Sequence, residues 1–388
     1  MRGDTAPQTV GSNAPPASGA SGGTGGGVGG GGGTTPTPSP SPANFLDVSS
    51  TATFDVVGSF HAIDKDVNTA SQAPAGSLYM GNASTVNTPS GTITFDPRTG
   101  IFNLKVADAA AGVSRTINFQ DPAHRSAFSP AEYASRQIPE LDKFNYLEVF
   151  DGSAIPVFFY QRPGTSTTYV SLGGFSRSQQ TVNGALTNFK GERGVFVFGQ
   201  KTIQSQIPIT GTGSYTGGFL ASMVSDKTGG GSSYLQWING SSTIAVDFGT
   251  RNVALRVEGL VGPAFAQGTT TAPNPISAPA NSIFFAKGTA QIDLIRSGGF
   301  TGTFLLNQAA TGTTAEVRNV GFNRPDGSFL GVDFASVALG GSTAGASSID
   351  GAFYGPGAVN VGGNLRIIGG VPNERVDIMG AFTGAKQP

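Results

Sequence analysis

From Thr53 onward, apolar and polar residues alternate with a period of two over short stretches, and glycine, proline and small polar residues separate the stretches. That period marks strands with one buried face. TATFDVVGSFHAI opens the pattern. GTITFDPRTGIFNLKV, residues 91–106, predicts a hairpin, with Thr92–Phe95 and Ile101–Val106 flanking the turn Asp96-Pro97-Arg98-Thr99-Gly100. NYLEVF, VFFYQR (157–162), TYVSLGGFSR (168–177) and GVFVFGQ (194–200) predict further strands. Residues 121–145 are the best place for irregular or helical structure: Ser129 is a capping residue, Pro130 suits a first helical position, and helix formers follow.

The second half begins near Ile207-Pro208 and alternates more cleanly. In NVALRVEG, Val253, Leu255 and Val257 share one face, while Asn252, Arg256 and Glu258 share the other. GTAQIDLIRSGGFTGTFLL repeats this, with Ile292 and Leu294 alternating with Gln291 and Asp293 before Ser297-Gly298-Gly299 turns the chain into Phe300–Leu306. SSIDGAF, NLRIIGG and RVDIMGAFTGA supply the last strands. Evenly spaced strands with glycine turns and almost no helix predict an all-β sandwich or barrel. Closure removes exposed edges, which favours a barrel for the second half.

Composition adds a third segment. Residues 1–43 include SGGTGGGVGGGGGTTPTPSPSP, which has nothing to bury and predicts a disordered tether, flexible in the glycine run and stiffer in the proline run. The expected organisation is therefore a tether over 1–43, a β-rich domain over 44–204 and a barrel over 205–388. Only 12% of residues are charged and the net charge is -1, so no basic footprint supports nucleic-acid binding. Cys is absent, which excludes disulfides, thiolate metal sites and a Cys nucleophile. MRGDTAPQTV carries no apolar leader, and the tether favours a chain that begins after a removed one.

GAFYGPGAVNVGG, residues 351–363, looks at first like a glycine-rich binding loop. Its residues predict architecture instead. Ser348–Phe353 is read as a strand, and Gly355-Pro356-Gly357 ends it, because proline donates nothing to a ladder and glycine accepts positive φ. Ala358–Val361 is expected to form an apolar turn plugging the barrel end, with Gly362-Gly363 restarting the chain into Asn364–Ile368. Phe353 and Tyr354 point to opposite faces, one inward and one at the rim. A phosphate loop would need charge and a following helix, and neither is present.

Together with IPITGTGSYTGGF (207–219), the ending IMGAFTGAK and the order of modules, GAFYGPGAVNVGGNLRI resembles the surface lipoproteins related to transferrin-binding protein B of Gram-negative bacteria. TYVSLGGFSR and GVFVFGQ resemble the segment joining that family's handle domain to its barrel. The resemblance implies a single lobe, a β-rich handle packed on an antiparallel eight-stranded barrel, with Phe353, Tyr354, Gly355, Pro356, Gly362 and Gly363 as structural motif residues. It implies surface display on the cell outer membrane through a lipidated Cys, which this chain lacks. It also implies capture of a protein or small solute, iron-related in the best-studied relatives, beside a TonB-dependent transporter. The alternative function is an assembly module of the envelope that captures no solute.

Catalytic and cofactor chemistry is not expected. His61 and His124, the chain's two histidines, have no neighbouring ligand in sequence and read as surface or satisfied polar residues, with His61 at a strand end. Haem ligation through Tyr79 or Tyr133 has no support. Asp64 and Asp66 only faintly resemble a calcium loop, since the glycine and the bidentate glutamate are missing. No nucleophile elbow or Walker loop appears, so an enzyme is the weakest reading. Partner contacts are sought at Phe159 and Arg162, because aromatics and Arg are enriched at hot spots; the plainer reading is a strand buried on one face with Arg162 at its solvated end. Trp237, beside a Gly-Ser turn, reads equally as a binding anchor or a plug at the barrel rim.

Overall fold

The computed structural model describes residues 44–68, 74–75, 80–109, 112–184, 186–227, 233–267, 278–295, 298–304, 308–309, 316–317, 319–330, 347–371 and 374–388. The tether expected over 1–43 and Tyr79 lie outside them, as do the side chains of Asp64 and Asp66.

The first sheet contains β1 (Ala52–Asn68), β2 (Gly91–Asp96), β3 (Ile101–Asp108), β4 (Val113–Gln120), β5 (Phe144–Glu148), β6 (Val157–Gln161), β7 (Val170–Asn183) and β8 (Leu186–Gly199). Their order across the sheet is β4-β3-β2-β1-β8-β7-β6-β5, antiparallel throughout, and short strands at Pro74–Ala75 and Met80–Ala83 also pair with β1. The expected hairpin forms as β2 and β3. The expected helix is α1 (Pro130–Arg136), opened by a reciprocal capping box between Ser129 and Glu132.

The second sheet is a closed barrel. Its strands are β9 (Thr212–Lys227), β10 (Ser233–Asp247), β11 (Asn252–Val261), β12 (Ile283–Asp293), β13 (Gly299–Phe304), β14 (Ser348–Tyr354), β15 (Asn360–Val371) and β16 (Glu374–Lys386). Each pairs with the next in sequence, and β16 returns to β9, so eight antiparallel strands close without a free edge. Val253, Leu255 and Val257 point inward and their neighbours outward, as the alternation predicts. Phe219, Phe284, Phe300, Phe353 and Phe382 fill the interior. An eight-stranded barrel is just wide enough for side chains to fill it, so this interior is a core and not a lumen.

The two sheets share a seam. Along β6 and β8 the runs VFFY and VFVF are apolar without a break because both faces are covered. Phe158, Tyr160, Phe196 and Phe198 face the aromatic core of the curled first sheet. Val157, Phe159, Val195 and Val197 face the barrel's outer surface. Val157–Tyr160 are thus buried on both faces, not one, because the barrel covers the side that would otherwise meet water, while Arg162 is exposed beyond the strand's end. His61 differs from expectation too: β1 runs on to Asn68, paired with β8, and places His61 buried in mid-strand.

Candidate functional site

The motif at 351–363 sits where the seam meets the linker between the sheets. Phe353 packs in the barrel interior. Tyr354, wholly buried, belongs to the seam and not to the rim, because the first sheet covers the outer face of β14. The linker runs alongside: Thr202 N–H donates to the Phe353 carbonyl at 2.9 Å, Gly355 N–H to the Gln200 carbonyl at 2.9 Å, and the Thr202 hydroxyl to the Gly355 carbonyl at 2.6 Å. Gly355 adopts φ 73° and ψ 177°, a region essentially reserved for glycine. The apolar turn expected over 358–361 is instead a short 3-10 turn over Pro356–Ala358, with Ala358 fully buried and its carbonyl accepting the Tyr215 hydroxyl at 2.9 Å, while Val361 already belongs to β15. The Gly362-Gly363 pair does not restart the chain. It lies inside β15, which begins at Asn360, because Val361 and Asn360 already pair with Phe353 and Tyr354.

Polar side chains lock the seam. Asn360 Oδ1 accepts from the Thr168 and Tyr169 N–H groups at 3.0 and 2.8 Å. Asn364 Nδ2 donates to the Gly58 and Ser84 carbonyls at 2.8 and 2.9 Å. Asp350 accepts the Val86 N–H at 2.5 Å. Burial pushes the Asp350 carboxyl up to about 7, against the opposing pull of the Val86 hydrogen bond and the Lys201 charge.

The seam also frames a cleft of about 340 Å³. Tyr133, from α1, and Ile138 and Leu141 just after it line one side, and Trp237, Leu260 and Phe265 line the barrel side. Trp237 is nearly buried, its indole N–H donates to the Gln137 carbonyl at 3.0 Å, and its ring meets Phe159 edge-on at 6.0 Å. Leu260 stands 56% exposed at the mouth. Burial, and then the charge of Glu140, raise the Tyr133 phenol above its ordinary pKa, so it stays a neutral donor. Glu140, Asn239 and Asn281 complete the polar fringe. An apolar floor with a few polar groups at its edge suits an apolar or aromatic body with a polar end.

The residues singled out as contacts separate here. Phe159 and Trp237 meet; Arg162 stands apart on the surface, where its Nε donates to the Lys143 carbonyl at 3.4 Å. Phe159 is covered on all sides. Trp237 lies in mid-strand and not near a turn: Gly240, Ser241 and Ser242 continue β10 opposite Gly259, Glu258 and Val257. A Cβ at Gly240 would lie 2.0 Å from the Glu258 carbonyl oxygen, so close strand approach requires that glycine. His124 Nδ1 accepts the Gln120 N–H at 3.0 Å. Among the described residues, no group of three or more His, Asp or Glu side chains is placed to hold a metal ion. Leu260, Ile138, Asp350 and Asn364 carried no signal in sequence, since each sits on a strand or loop position that reads as ordinary surface or core.

No family model matches the chain, and no curated protein matches it. Solved structures do. The chain resembles transferrin-binding protein B. A double mutant of that protein from Haemophilus parasuis Hp5 aligns at 13% identity over 88% of this chain and 77% of its own, with a TM-score of 0.36. Intact Ap-TbpB, with N and C lobes, aligns at 11% over 87% of this chain and 80% of its own, with a TM-score of 0.33. A protein described as a surface lipoprotein aligns at 12% over 85% of this chain and 99% of its own, with a TM-score of 0.29.

Proposed function

We propose that this is a surface-displayed, non-enzymatic binding protein that captures a protein or small solute at the seam cleft and passes it to an outer-membrane transporter. The cleft carries the proposal: it is the place where an apolar floor, an exposed Leu260 and a single indole converge. The filled barrel interior supports it from the other side, because a core packed with five phenylalanines leaves capture to the outer surfaces. Display on the outer membrane through a lipid anchor belongs to the same proposal, and protease accessibility on intact cells tests it.

Trp237 is the chain's only tryptophan, so its emission reports the cleft directly. The full chain is offered to serum and to growth medium from iron-starved and iron-replete cultures, with transferrin as one defined probe because the similar structures are named for it. The proposal expects recovery of a soluble cargo that shifts Trp237 emission, and loss of both in Leu260→Asp at unchanged Tm. Recovery of a porin or transporter alone, without soluble cargo, rejects it in favour of an envelope assembly module. Cargo that binds without touching the emission rejects the cleft.

A further inference from the structure

Among the described residues, one of the first sheet's two edges is covered and the other is not. At the β5 edge, Ser126 N–H donates to the Tyr146 carbonyl and Glu148 N–H to the His124 carbonyl, each at 2.9 Å, so residues 124–126 lie along β5 as a short extra strand. Among the described residues, the β4 edge has no such cover. Which of its groups remain follows from strand parity. Gln120 N–H goes to His124 Nδ1 at 3.0 Å and the Gln120 carbonyl accepts from His124 N–H at 2.7 Å. The next residue, Asp121, donates the other way, to the Gly100 carbonyl at 2.9 Å. Main-chain groups alternate sides along an antiparallel strand, so Ser114, Thr116 and Asn118 aim theirs away from β3, as Gln120 does. The Arg115 guanidinium takes the Ser114 carbonyl at 3.2 Å. The main-chain N–H and C=O of Thr116 and Asn118 pair with nothing among the described residues.

This open edge faces a trough of about 680 Å³ whose far wall is residues 123–126 and 148–151. Arg115–Asn118 form the near wall, a length of roughly 13 Å at the rise of an extended strand. Of the two inward side chains, Ile117 packs on the aromatic core, and Arg115 pairs with Glu192. The guanidinium of Arg115 is 36% exposed and Glu192 is 9% exposed; Arg125 on the far wall is 49% exposed and its partner Asp121 is 12% exposed. In both pairs the cation is the member open to the trough. Asp151, paired with Arg177, is the open acid at the rim. An inward charge on an edge strand deters indiscriminate pairing and admits a strand of opposite charge.

We propose that the trough binds an extended, acidic peptide segment of a partner protein as an added antiparallel strand. An acidic side chain lies opposite Arg115 and a β-branched one opposite Ile117, so the ligand reads apolar, any residue, acidic along its own direction. Thr116 exchanges both main-chain hydrogen bonds with the residue between them.

The probe is acetyl-Thr-Val-Thr-Glu-Thr amide, titrated into the full chain with hydrogen exchange as readout. The expected result is protection of the Thr116 and Asn118 amides at saturation. N-methylation of the central threonine, replacement of the peptide's Glu by Lys, and Thr116→Pro in the protein each weaken binding by roughly tenfold or more. Proline is tolerated there because that N–H faces away from β3. If Thr116→Pro does not fold, the N-methylated probe on the unaltered chain decides. Absence of protection at saturating probe, or equal affinity of the N-methylated probe, overturns the proposal.

Discussion

Phe353 and Tyr354 are consecutive in sequence and lie in different cores. Phe353 packs inside the barrel, 5.4 Å from Phe248 and 5.8 Å from Phe300, while Tyr354 is buried between the barrel and the first sheet. β14 is therefore a two-sided wall, with Ile349 and Phe353 on one face and Ala352 and Tyr354 on the other.

The Tyr354 hydroxyl has no hydrogen-bond partner among the described residues, and burial drives its pKa upward. Its ring fills the seam; its oxygen is a desolvated polar atom. Tyr354→Phe is expected to hold or raise stability, because it removes the oxygen and keeps the packing. Tyr354→Ala is expected to cost about 3–5 kcal/mol through the cavity it leaves. Urea unfolding of both variants measures the difference, and a large loss in Tyr354→Phe would show that the hydroxyl has a partner.

Three glycines of the motif separate by environment. A Cβ at Gly355 would lie 2.4 Å from the Tyr169 ring at a backbone conformation side chains avoid, so Gly355→Val is expected to abolish cooperative folding. At Gly362 the nearest atom is the Val170 side chain at 3.0 Å, and Gly362→Ala is expected to cost about 1–2 kcal/mol. Gly357, at φ 61°, has open space around it, so Gly357→Asn is expected to be almost silent. Thermal melts rank the three.

Asp350 makes the seam sensitive to pH. Its carboxyl titrates near 3.8 in the unfolded chain and near 7 when buried. The folded state thus holds a proton that the unfolded state has released. The stabilising contribution is complete below the unfolded value and is lost as pH rises through about 7. Its full size is on the order of 2 kcal/mol after allowance for partial exposure. Asp350→Asn keeps an oxygen for the Val86 N–H and is expected to flatten this slope. Unfolding free energies at pH 5 and pH 8 compare the two proteins.

Asn364 and Asn360 hold the sheets together from outward positions on β15, with Gly362 between them. Asn364→Ala removes the donor from the Ser84 carbonyl and one of two from the Gly58 carbonyl, which keeps the Ser84 N–H, and is expected to cost about 1–3 kcal/mol. With Asn360→Ala added, the seam is expected to fail before either core. Calorimetry should then show two transitions where the parent shows one.

Much of the fold was legible because the barrel strands alternate. NVALRVEG announces which residues of β11 enter the core, and the turn at Asp96–Gly100 announces a hairpin. The seam was not legible. VFFY and VFVF show that two faces are apolar but not which surface covers the second one, and that surface comes from strands far along the chain. The same gap misplaced Tyr354 at a rim. Trp237 was misread for a local reason: glycine and serine after it suggest a turn, yet Gly240 is there because Gly259 crosses close beside it. The cleft draws on α1 and on Leu260, which meet only once the sheets have packed.

The pairing of β9 with β16 sets a timetable. Phe219 lies opposite Phe382, so the barrel's first strand waits for its last before the cylinder exists. A chain emerging from the ribosome completes every long strand of the first sheet by Gly199 and has none of the barrel yet. Until Glu374–Lys386 has been made, β9 carries an unmatched edge, and only β16 removes it. A chain cut short within β16 would therefore be an open sheet beside a finished one, and an aggregation hazard of a kind the closed barrel never presents.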